Sequence, residues 1–378
     1  MAKKKTSKKV TERIRQDKLS KVAYQLFDVT KKESAFVTMI AFLFFIAGTV
    51  SEHTHIAMWF GFAMAGYSAI ANDSIQTIGT FISSNSHRKW YFLWLFMGLI
   101  FLATVTYSWI TYDGDVSYQR LASKGFSEAP TSFSFLQLSA PIILLILTRM
   151  RMPVSTSILL LSAFSTESEA ISSVLKKSLS GYVLAFVLSI IVWFLISRFV
   201  KKYMNSKPAP YWIYIQWVTS GLLWAAWIMQ DAANIAIFLP RSLSLIQFIA
   251  FAGVIFFGLG FLFYLKGDKI QQIVNEKSGV TDVRAATMVD FVYALILIYF
   301  KQISNIPMST TWVFIGLLAG RELAISFSKK RKKKRDRSLK RTFMMIGKDA
   351  LFAAIGLLVS LLLAFAINSD LRDSILNR

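Results

Sequence analysis

Cysteine is absent from this chain of 378 residues. The chain therefore forms neither disulfides nor thiolate metal sites, and its cysteine usage gives no indication of the redox compartment. Acidic residues are also few, because 21 Asp and Glu stand against 43 Lys and Arg, which gives a formal net charge of +22. The sequence lacks a Walker motif, a Ser-His-Asp set and an HExxH pattern. We therefore expect no ATP-driven chemistry and no enzyme.

The basic residues concentrate in two stretches, 1–32 and 329–341. Stretches of this kind bind nucleic acid in some proteins. Beside apolar segments they more often mark the cytoplasmic side of a membrane and contact anionic lipid. We therefore expect anionic lipid, and no nucleic acid, at these basic stretches.

Apolar residues are abundant: 54% of the chain is hydrophobic, 15% is aromatic and the mean hydropathy is +0.49. Several charge-free runs are long enough to cross a hydrocarbon layer of roughly 30 Å as helices that rise about 1.5 Å per residue. These runs are 34–51, 90–112, 178–197, 208–230, 242–265 and 350–369. The composition thus predicts an all-α integral membrane protein that crosses the bilayer several times, and we expect it in the cell membrane.

Two short polar motifs each occur twice among these apolar residues. The first aspartate motif, residues 72–76, reads Asn-Asp-Ser-Ile-Gln, and the second, residues 230–234, reads Gln-Asp-Ala-Ala-Asn. The first Ser-Thr segment, residues 153–157, reads Pro-Val-Ser-Thr-Ser, and the second, residues 307–311, reads Pro-Met-Ser-Thr-Thr. A carboxylate at membrane depth is costly unless it binds something. Two copies in register therefore predict a two-repeat transporter with its site at the repeat interface.

The repeats set the expected division of the chain. It consists of a basic N-terminal tail at 1–33, a first transmembrane repeat at 34–207 and a second at 208–378, which includes a basic loop at 329–341. The Pro208-Ala209-Pro210 break and the lysines before it are typical of a linker between repeats.

Each Ser-Thr segment begins an apolar piece, 153–164 or 307–320, that is too short to cross a bilayer. A proline suits the first turn of a helix, and the first-turn amides of a helix lack intrahelical partners. A half-helix that begins inside the membrane would present these donors and the positive end of its dipole to an anion. Alternatively, the Ser and Thr hydroxyls bond back to their own helix and nothing binds there.

The aspartate motifs provide a second set of ligands. Asn72 and Gln76 share a helix face with Asp73 beside them, and Gln230, Asp231 and Asn234 repeat this arrangement. Carboxylate and amide oxygens suit sodium, magnesium or calcium, while the amide nitrogens can donate to an anion. The alternative is a polar contact between packed helices.

These motifs resemble those of the inorganic phosphate transporter family, whose members have Gly-Ala-Asn-Asp-Val-Ala-Asn and, later, Pro-Val-Ser-Thr-Thr-His in each repeat. Residues 267–270, Gly-Asp-Lys-Ile, also resemble a family stretch. Gln76 and Gln230 stand where the family has Asn, and Ile158 and Trp312 stand where it has His. The chain is therefore identified as a divergent member. The resemblance implies two inverted-topology repeats with discontinuous helices and two re-entrant hairpins.

The expected function is secondary transport of inorganic phosphate or a related tetrahedral oxyanion, coupled to sodium or protons, with no other cofactor. A sulfate permease and a transport-incompetent anion sensor or partner-binding subunit are the alternatives, and a homodimer is the candidate assembly. The expected anion-binding residues are Ser155, Thr156, Ser157, Ser309, Thr310, Thr311, Asp73 and Asp231. The expected sodium ligands are Asn72, Asp73, Gln76, Gln230, Asp231 and Asn234.

Overall fold

The fold is that of a computed structural model, which describes residues 33–122, 125–150, 152, 154–165, 167–203, 208–264, 282–329, 332–368 and 372. Within these residues all regular secondary structure is helical. Residues 267–270 and most of the basic tail, 1–32, lie outside the described residues. Pro153 also lies outside them.

The chain divides into two units, Met1–Thr49 and Val50–Arg378. The described residues of the first unit, 33–49, belong to α1, Glu33–Val50. Near its end the Thr49 hydroxyl donates to the carbonyl of Ile46 one turn earlier, at 2.9 Å. This back-bond keeps a polar group satisfied within an apolar helix.

The second unit contains ten further α-helices in its described residues. They are α2 (Thr54–Thr77), α3 (Gly79–Ser84), α4 (Trp90–Thr111), α5 (Phe135–Arg149), α6 (Ser168–Tyr203), α7 (Tyr211–Ala236), α8 (Leu245–Tyr264), α9 (Val283–Ile303), α10 (Thr310–Phe327) and α11 (Lys332–Ile367). A π-helical turn at Ser157–Leu161 lies between α5 and α6. The two aspartate motifs fall in the last turns of α2 and α7.

Seven of the described helices, α1, α4, α6, α8, α9, α10 and α11, are long and apolar enough to cross a membrane. The protein is therefore an all-α, multi-pass membrane protein. The helices that contain the aspartate motifs, α2 and α7, are 24 and 26 residues long but are not among these seven. Their polar residues are buried inside the helical unit, where they do not face lipid.

Local sequence explains several helix starts. Ser134 and Gln137 form a reciprocal capping box at the start of α5, which satisfies two backbone donors at once. Asp282 caps α9 and Ser309 caps α10 through side-chain oxygens. Short polar residues at this position accept from first-turn amides that have no intrahelical partner.

Helices α6 and α10 pack closely because α10 presents Gly316 and Gly320 to α6. A Cβ added at Gly316 would lie 2.4 Å from the Tyr182 carbonyl oxygen, and one at Gly320 would lie 2.3 Å from that of Phe186. Small residues spaced by four allow helix backbones to approach each other in membranes. This contact anchors the helix that follows the second Ser-Thr segment.

Two expectations about the second half differ from the structure. The basic stretch 329–341 was predicted to be a loop, but α11 begins at Lys332 and continues to Ile367, since Lys and Arg are good helix formers. The short apolar piece predicted at 307–320 is part of a helix that continues to Phe327. Arg321 does not end it, because its charge is paired with Glu322 at 2.6 Å and stacks on Trp193 at 5.0 Å.

Candidate functional site

Both aspartates of the repeated motifs are fully buried. Each lies in the last turns of its helix, because α2 ends at Thr77 and α7 at Ala236. An ionised carboxylate in such surroundings needs hydrogen-bond donors or a cation. The contacts of these two side chains therefore define the site.

Asp73 is surrounded by donors from three parts of the chain. Its Oδ1 accepts from Asn72 Nδ2 at 2.9 Å, from Gln76 Nε2 at 3.3 Å and from Thr311 Oγ1 at 3.3 Å. Its Oδ2 accepts from Thr156 Oγ1 at 2.6 Å. Both Ser-Thr segments thus donate to the carboxylate of the first aspartate motif.

Asp231 has a similar environment. Its Oδ1 accepts from Ser157 Oγ at 3.3 Å and from Asn234 Nδ2. The Thr310 side chain, which is also buried, lies beside the carboxylate. Residues of both Ser-Thr segments thus lie at this carboxylate as well, so the two motifs and the two segments form one polar cluster.

The contacts across this cluster are reciprocal. Ser157 of the first segment donates to Asp231, and its counterpart Thr311 of the second segment donates to Asp73, both at 3.3 Å. Each hydroxyl also bonds the backbone of the opposite segment. The single proton of each hydroxyl is shared between the carboxylate and a backbone carbonyl, that of Met308 at 2.8 Å from Ser157 and that of Val154 at 3.3 Å from Thr311.

The terminal amides of the two motifs follow the same exchange. Gln76 Nε2 donates to Thr311 Oγ1 at 3.2 Å, and Asn234 Nδ2 donates to Ser157 Oγ at 3.0 Å. Each amide therefore binds its own aspartate and the hydroxyl that the other half supplies. Gln76 and Asn234 make the same pair of contacts although their side chains differ in length.

The first serine of each segment has a different role. Ser155 Oγ accepts from the Ile158 amide at 3.1 Å, and Ser309 Oγ accepts from the Trp312 amide, also at 3.1 Å. These are N-cap interactions, which use a lone pair of each oxygen and leave the hydroxyl proton able to donate, so binding of an anion by both serines stays a prediction. The Ser178 hydroxyl on α6 further anchors the Ser309 amide at 2.8 Å.

The amides that open the two motifs, Asn72 and Gln230, do not make matching contacts. Asn72 Nδ2 donates to the Val154 carbonyl at 3.0 Å and to Thr156 Oγ1 at 3.3 Å. Gln230 Nε2 instead donates to the Leu297 carbonyl of α9 at 2.8 Å. The side chain of Gln230 is thus directed to a neighbouring helix and not to its own Ser-Thr segment.

Four buried oxygens of the motifs accept no hydrogen bond from any described residue. They are Gln76 Oε1, Gln230 Oε1, Asp231 Oδ2 and Asn234 Oδ1. A buried acceptor without a donor costs about 1–3 kcal/mol, and a cation satisfies such oxygens directly. Hard oxygen ligands of this kind fit sodium.

Two cations that the sequence analysis did not single out lie next to this cluster. Arg120, in the segment between α4 and α5, is fully buried and donates to the Met229 and Ile306 carbonyls at 2.8 and 3.0 Å. Lys177 on α6 donates to the Ile306 carbonyl at 2.5 Å. Nothing in the local sequence of either residue indicates these contacts, because both partners are distant backbone carbonyls.

A third buried carboxylate, Asp290 on α9, lies outside the cluster. It accepts from Thr80 Oγ1 on α3 at 2.7 Å and from Ser220 Oγ on α7 at 2.5 Å. Both oxygens therefore have donors, and the side chain ties three helices together. This fits the packing of polar residues between membrane helices.

The fold and site define a multi-pass helical membrane protein with two buried aspartate motifs joined through two Ser-Thr segments. No family model and no curated protein matches this sequence. A solved structure titled "The sodium-dependent phosphate transporter" is similar, with 19% sequence identity and a TM-score of 0.50. The similarity covers 82% of this chain and 98% of that chain. At this identity it shows that the two proteins share a fold.

Proposed function

We propose that this protein is a secondary transporter of inorganic phosphate or a related tetrahedral oxyanion, and that sodium is the coupling ion. The reciprocal contacts of Ser157 with Asp231 and of Thr311 with Asp73 are the observation on which the proposal rests. They join two similar polar units at one buried place in a membrane protein. The shared fold with a sodium-dependent phosphate transporter supports the same proposal.

The reciprocity also supports an inverted-repeat arrangement. A contact from segment one to motif two, matched by a contact from segment two to motif one, is what a pseudo-two-fold axis between repeats produces. In this arrangement α2 corresponds to α7, and the two Ser-Thr segments are the tips of two re-entrant hairpins. The site then lies at the repeat interface, where alternate access to both sides is possible.

The hydroxyls of Thr156, Ser157 and Thr311 are the donors proposed to bind the oxyanion. Each now donates to a carboxylate or a backbone carbonyl, and a hydroxyl can rotate to donate to a new acceptor. The N-terminus of α10, which begins at Thr310, adds first-turn amides and the positive end of a helix dipole. A tetrahedral anion could therefore be bound from both segments.

The four oxygens without donors favour sodium over a proton as the coupling ion. Three of them are amide oxygens, of Gln76, Gln230 and Asn234, and an amide oxygen does not take up a proton near neutral pH. A metal cation can accept such amide and carboxylate oxygens as ligands. Sodium would also compensate the two buried carboxylates, which otherwise repel the anion, so anion binding would require the cation.

Sodium-driven uptake of radiolabelled phosphate into proteoliposomes tests the proposal. Asp73→Asn and Asp231→Asn remove one charge each and should lower uptake at least about 100-fold, equivalent to roughly 2.7 kcal/mol. Asp113→Asn is the control, because the Asp113 side chain is exposed outside the site and Asn tolerates its φ of 48°. Unchanged flux in both site variants, with both proteins inserted, would refute the assignment.

Competition identifies the oxyanion. Phosphate should compete for uptake more strongly than sulfate, arsenate or molybdate. Stronger competition by sulfate than by phosphate would identify the protein as a sulfate permease. Phosphate binding without flux of any oxyanion would instead favour a sensor or partner-binding subunit.

The start of α11 is proposed to contact anionic lipid at the cytoplasmic face of the cell membrane. Six basic side chains there are exposed: Lys332, Lys333, Lys334, Arg337, Lys340 and Arg341. Cations beside a membrane helix are attracted to an anionic surface by about 1 kcal/mol each. Replacement of all six by Gln should reduce co-purifying phosphatidylglycerol in native mass spectra, whereas unchanged lipid would contradict the proposal.

A further inference from the structure

The two halves of the cluster hold their Ser-Thr segments by different means. In the first half, Asn72 Nδ2 donates to its own aspartate and to the Val154 carbonyl, at 2.9 and 3.0 Å. One amide thus docks the segment on the motif. In the second half the equivalent Gln230 donates to Leu297 of α9 at 2.8 Å, so it does not join the second segment to the second motif.

Arg120 is placed to make this connection. Its Nε donates to the Met229 carbonyl at 2.8 Å, and its Nη1 donates to the Ile306 carbonyl at 3.0 Å. Met229 directly precedes the second aspartate motif, and Ile306 directly precedes the second Ser-Thr segment. One planar guanidinium therefore links both, and its fixed fork of donors suits such a two-point contact.

The backbone before Arg120 adopts a conformation that costs free energy. Tyr118 and Gln119 have φ angles of 56° and 61°, in the left-handed region that non-glycine residues rarely occupy. The Asp115 carboxylate holds this turn by accepting from the Ser117 amide at 2.7 Å and the Gln119 amide at 2.6 Å. Such strain persists where surrounding contacts determine it, commonly at functional sites.

The charge of Arg120 also matters to the site. Burial lowers the pKa of the Arg120 guanidinium to about 9, and the negative charge of Asp231 opposes this shift. The group therefore remains protonated at neutral pH. It therefore places a positive charge near the Asp231 carboxylate, whose Oδ2 has no hydrogen-bond donor.

We propose that Arg120 is a positioning residue of the oxyanion site, which docks the second Ser-Thr segment on the second aspartate motif in place of the amide contact that Gln230 does not make. This rests on the proposed function. Lys177 supports the same turn by donating to the Ile306 and Ser304 carbonyls at 2.5 and 2.8 Å, but it bonds only the segment side. Arg120 alone among the described cations bonds both sides.

Uptake kinetics test the positioning role. Arg120→Gln should raise the KM for phosphate at least tenfold, with a change in maximal rate below about threefold, because the docked geometry of the binding hydroxyls is lost. Arg241→Gln is the matched control. Arg241 is a half-buried loop arginine that donates to the Phe126 and Leu239 carbonyls at 3.0 and 2.9 Å and to no residue of the motifs or segments, so its loss should leave the KM unchanged.

A second substitution tests the mechanism of docking. In the Arg120→Gln background, Gln230→Asn places in the second half an amide like that of Asn72 in the first half. We expect this second substitution to lower the KM most of the way back to the wild-type value. Gln230→Ala in the same background should leave the KM as high as in Arg120→Gln alone. Equal KM values for the two double variants would overturn the proposed exchange of anchors.

A readout without transport separates this proposal from the proposed function. Met308 is fully buried in the second Ser-Thr segment, and a Met308→Cys variant has one thiol because the chain has no other cysteine. Arg120→Gln should increase its maleimide labelling rate at least fivefold, whereas Arg241→Gln should not. Absent phosphate uptake by the wild-type protein would refute the function alone, and equal labelling in both backgrounds would refute the docking role.

Discussion

The Thr311 hydroxyl lies 3.3 Å from the Asp73 carboxylate, although 238 positions separate the two residues in the chain. Ser157 makes the matching contact with Asp231 at the same distance. Each carboxylate thus depends on a hydroxyl from the other half. Neither half of the chain forms a complete set of donors by itself.

This dependence predicts the effect of removing one hydroxyl. Ser157→Ala and Thr311→Val each leave a buried carboxylate with one donor fewer, which costs about 1–3 kcal/mol. We expect each variant to raise the KM for phosphate by about tenfold or more, with effects of similar size. Initial rates of uptake into proteoliposomes measure both.

Ser139→Ala is the control for these two variants. Ser139 is equally buried, but its hydroxyl donates only to the Phe135 carbonyl of its own helix, at 2.7 Å, so uptake should not change. A large effect of one site variant and none of the other would contradict the reciprocal arrangement.

The amide oxygens predict a distinct effect on the coupling ion. Asn234→Ala removes one oxygen that has no donor, as well as the amide contacts to Asp231 and Ser157. We expect the sodium concentration for half-maximal uptake to rise at least tenfold. Titration of uptake with sodium at fixed phosphate measures this shift.

Asn85→Ala controls for the loss of a buried amide. Asn85 donates to the Phe81 carbonyl at 2.9 Å and to Gln216 at 3.2 Å, outside the aspartate motifs. Its replacement should leave the sodium dependence unchanged. If Asn234→Ala alters the response to pH but not to sodium, the coupling ion is a proton and the sodium assignment is wrong.

Helix content and the membrane class could be predicted from the sequence because apolar runs of sufficient length leave few alternatives. The runs predicted at 90–112 and 242–265 correspond closely to α4 and α8, Trp90–Thr111 and Leu245–Tyr264. The end of α10 could not be predicted. The charges of Arg321 and Glu322 look like a helix boundary in the sequence, whereas in the fold the two side chains pair and Arg321 packs on Trp193 of another helix.

The proximity of the motifs could be inferred from their repetition, but their individual contacts could not. Ser155 and Ser309 look equivalent to their neighbouring hydroxyls in sequence, yet local backbone geometry makes them caps. Arg120 lies in a polar segment with no motif around it. Its partners are backbone carbonyls more than 100 positions away, so no local sequence pattern predicts these contacts.

The approach of α6 to α10 predicts a stability effect. A methyl group at Gly320 would lie 2.3 Å from the Phe186 carbonyl oxygen, and two packed backbones cannot both yield without breaking helical hydrogen bonds. We expect Gly320→Ala to destabilise the protein by about 1–3 kcal/mol, the usual cost of overpacking. Thermal unfolding in detergent measures this.

Gly347→Ala is the matched control in a helix. No atom outside its own turn of helix lies within 4 Å of a Cβ added there, so the substitution should be neutral or stabilising by up to about 1 kcal/mol, since Ala favours helix more than Gly. Equal melting temperatures for the two variants would show that α6 and α10 are not packed as closely as described.

Inverted repeats predict that corresponding helices enter the membrane from opposite sides. Helices α2 and α7, which contain the two aspartate motifs, begin at Thr54 and Tyr211, and exposed residues lie at both starts. The chain has no cysteine, so Glu52→Cys and Tyr211→Cys each provide a single thiol. In intact cells an impermeant maleimide should label one of them and not the other, and both should label after permeabilisation. Labelling of both in intact cells, or of neither, would place the two helix starts on the same side and refute the inverted arrangement.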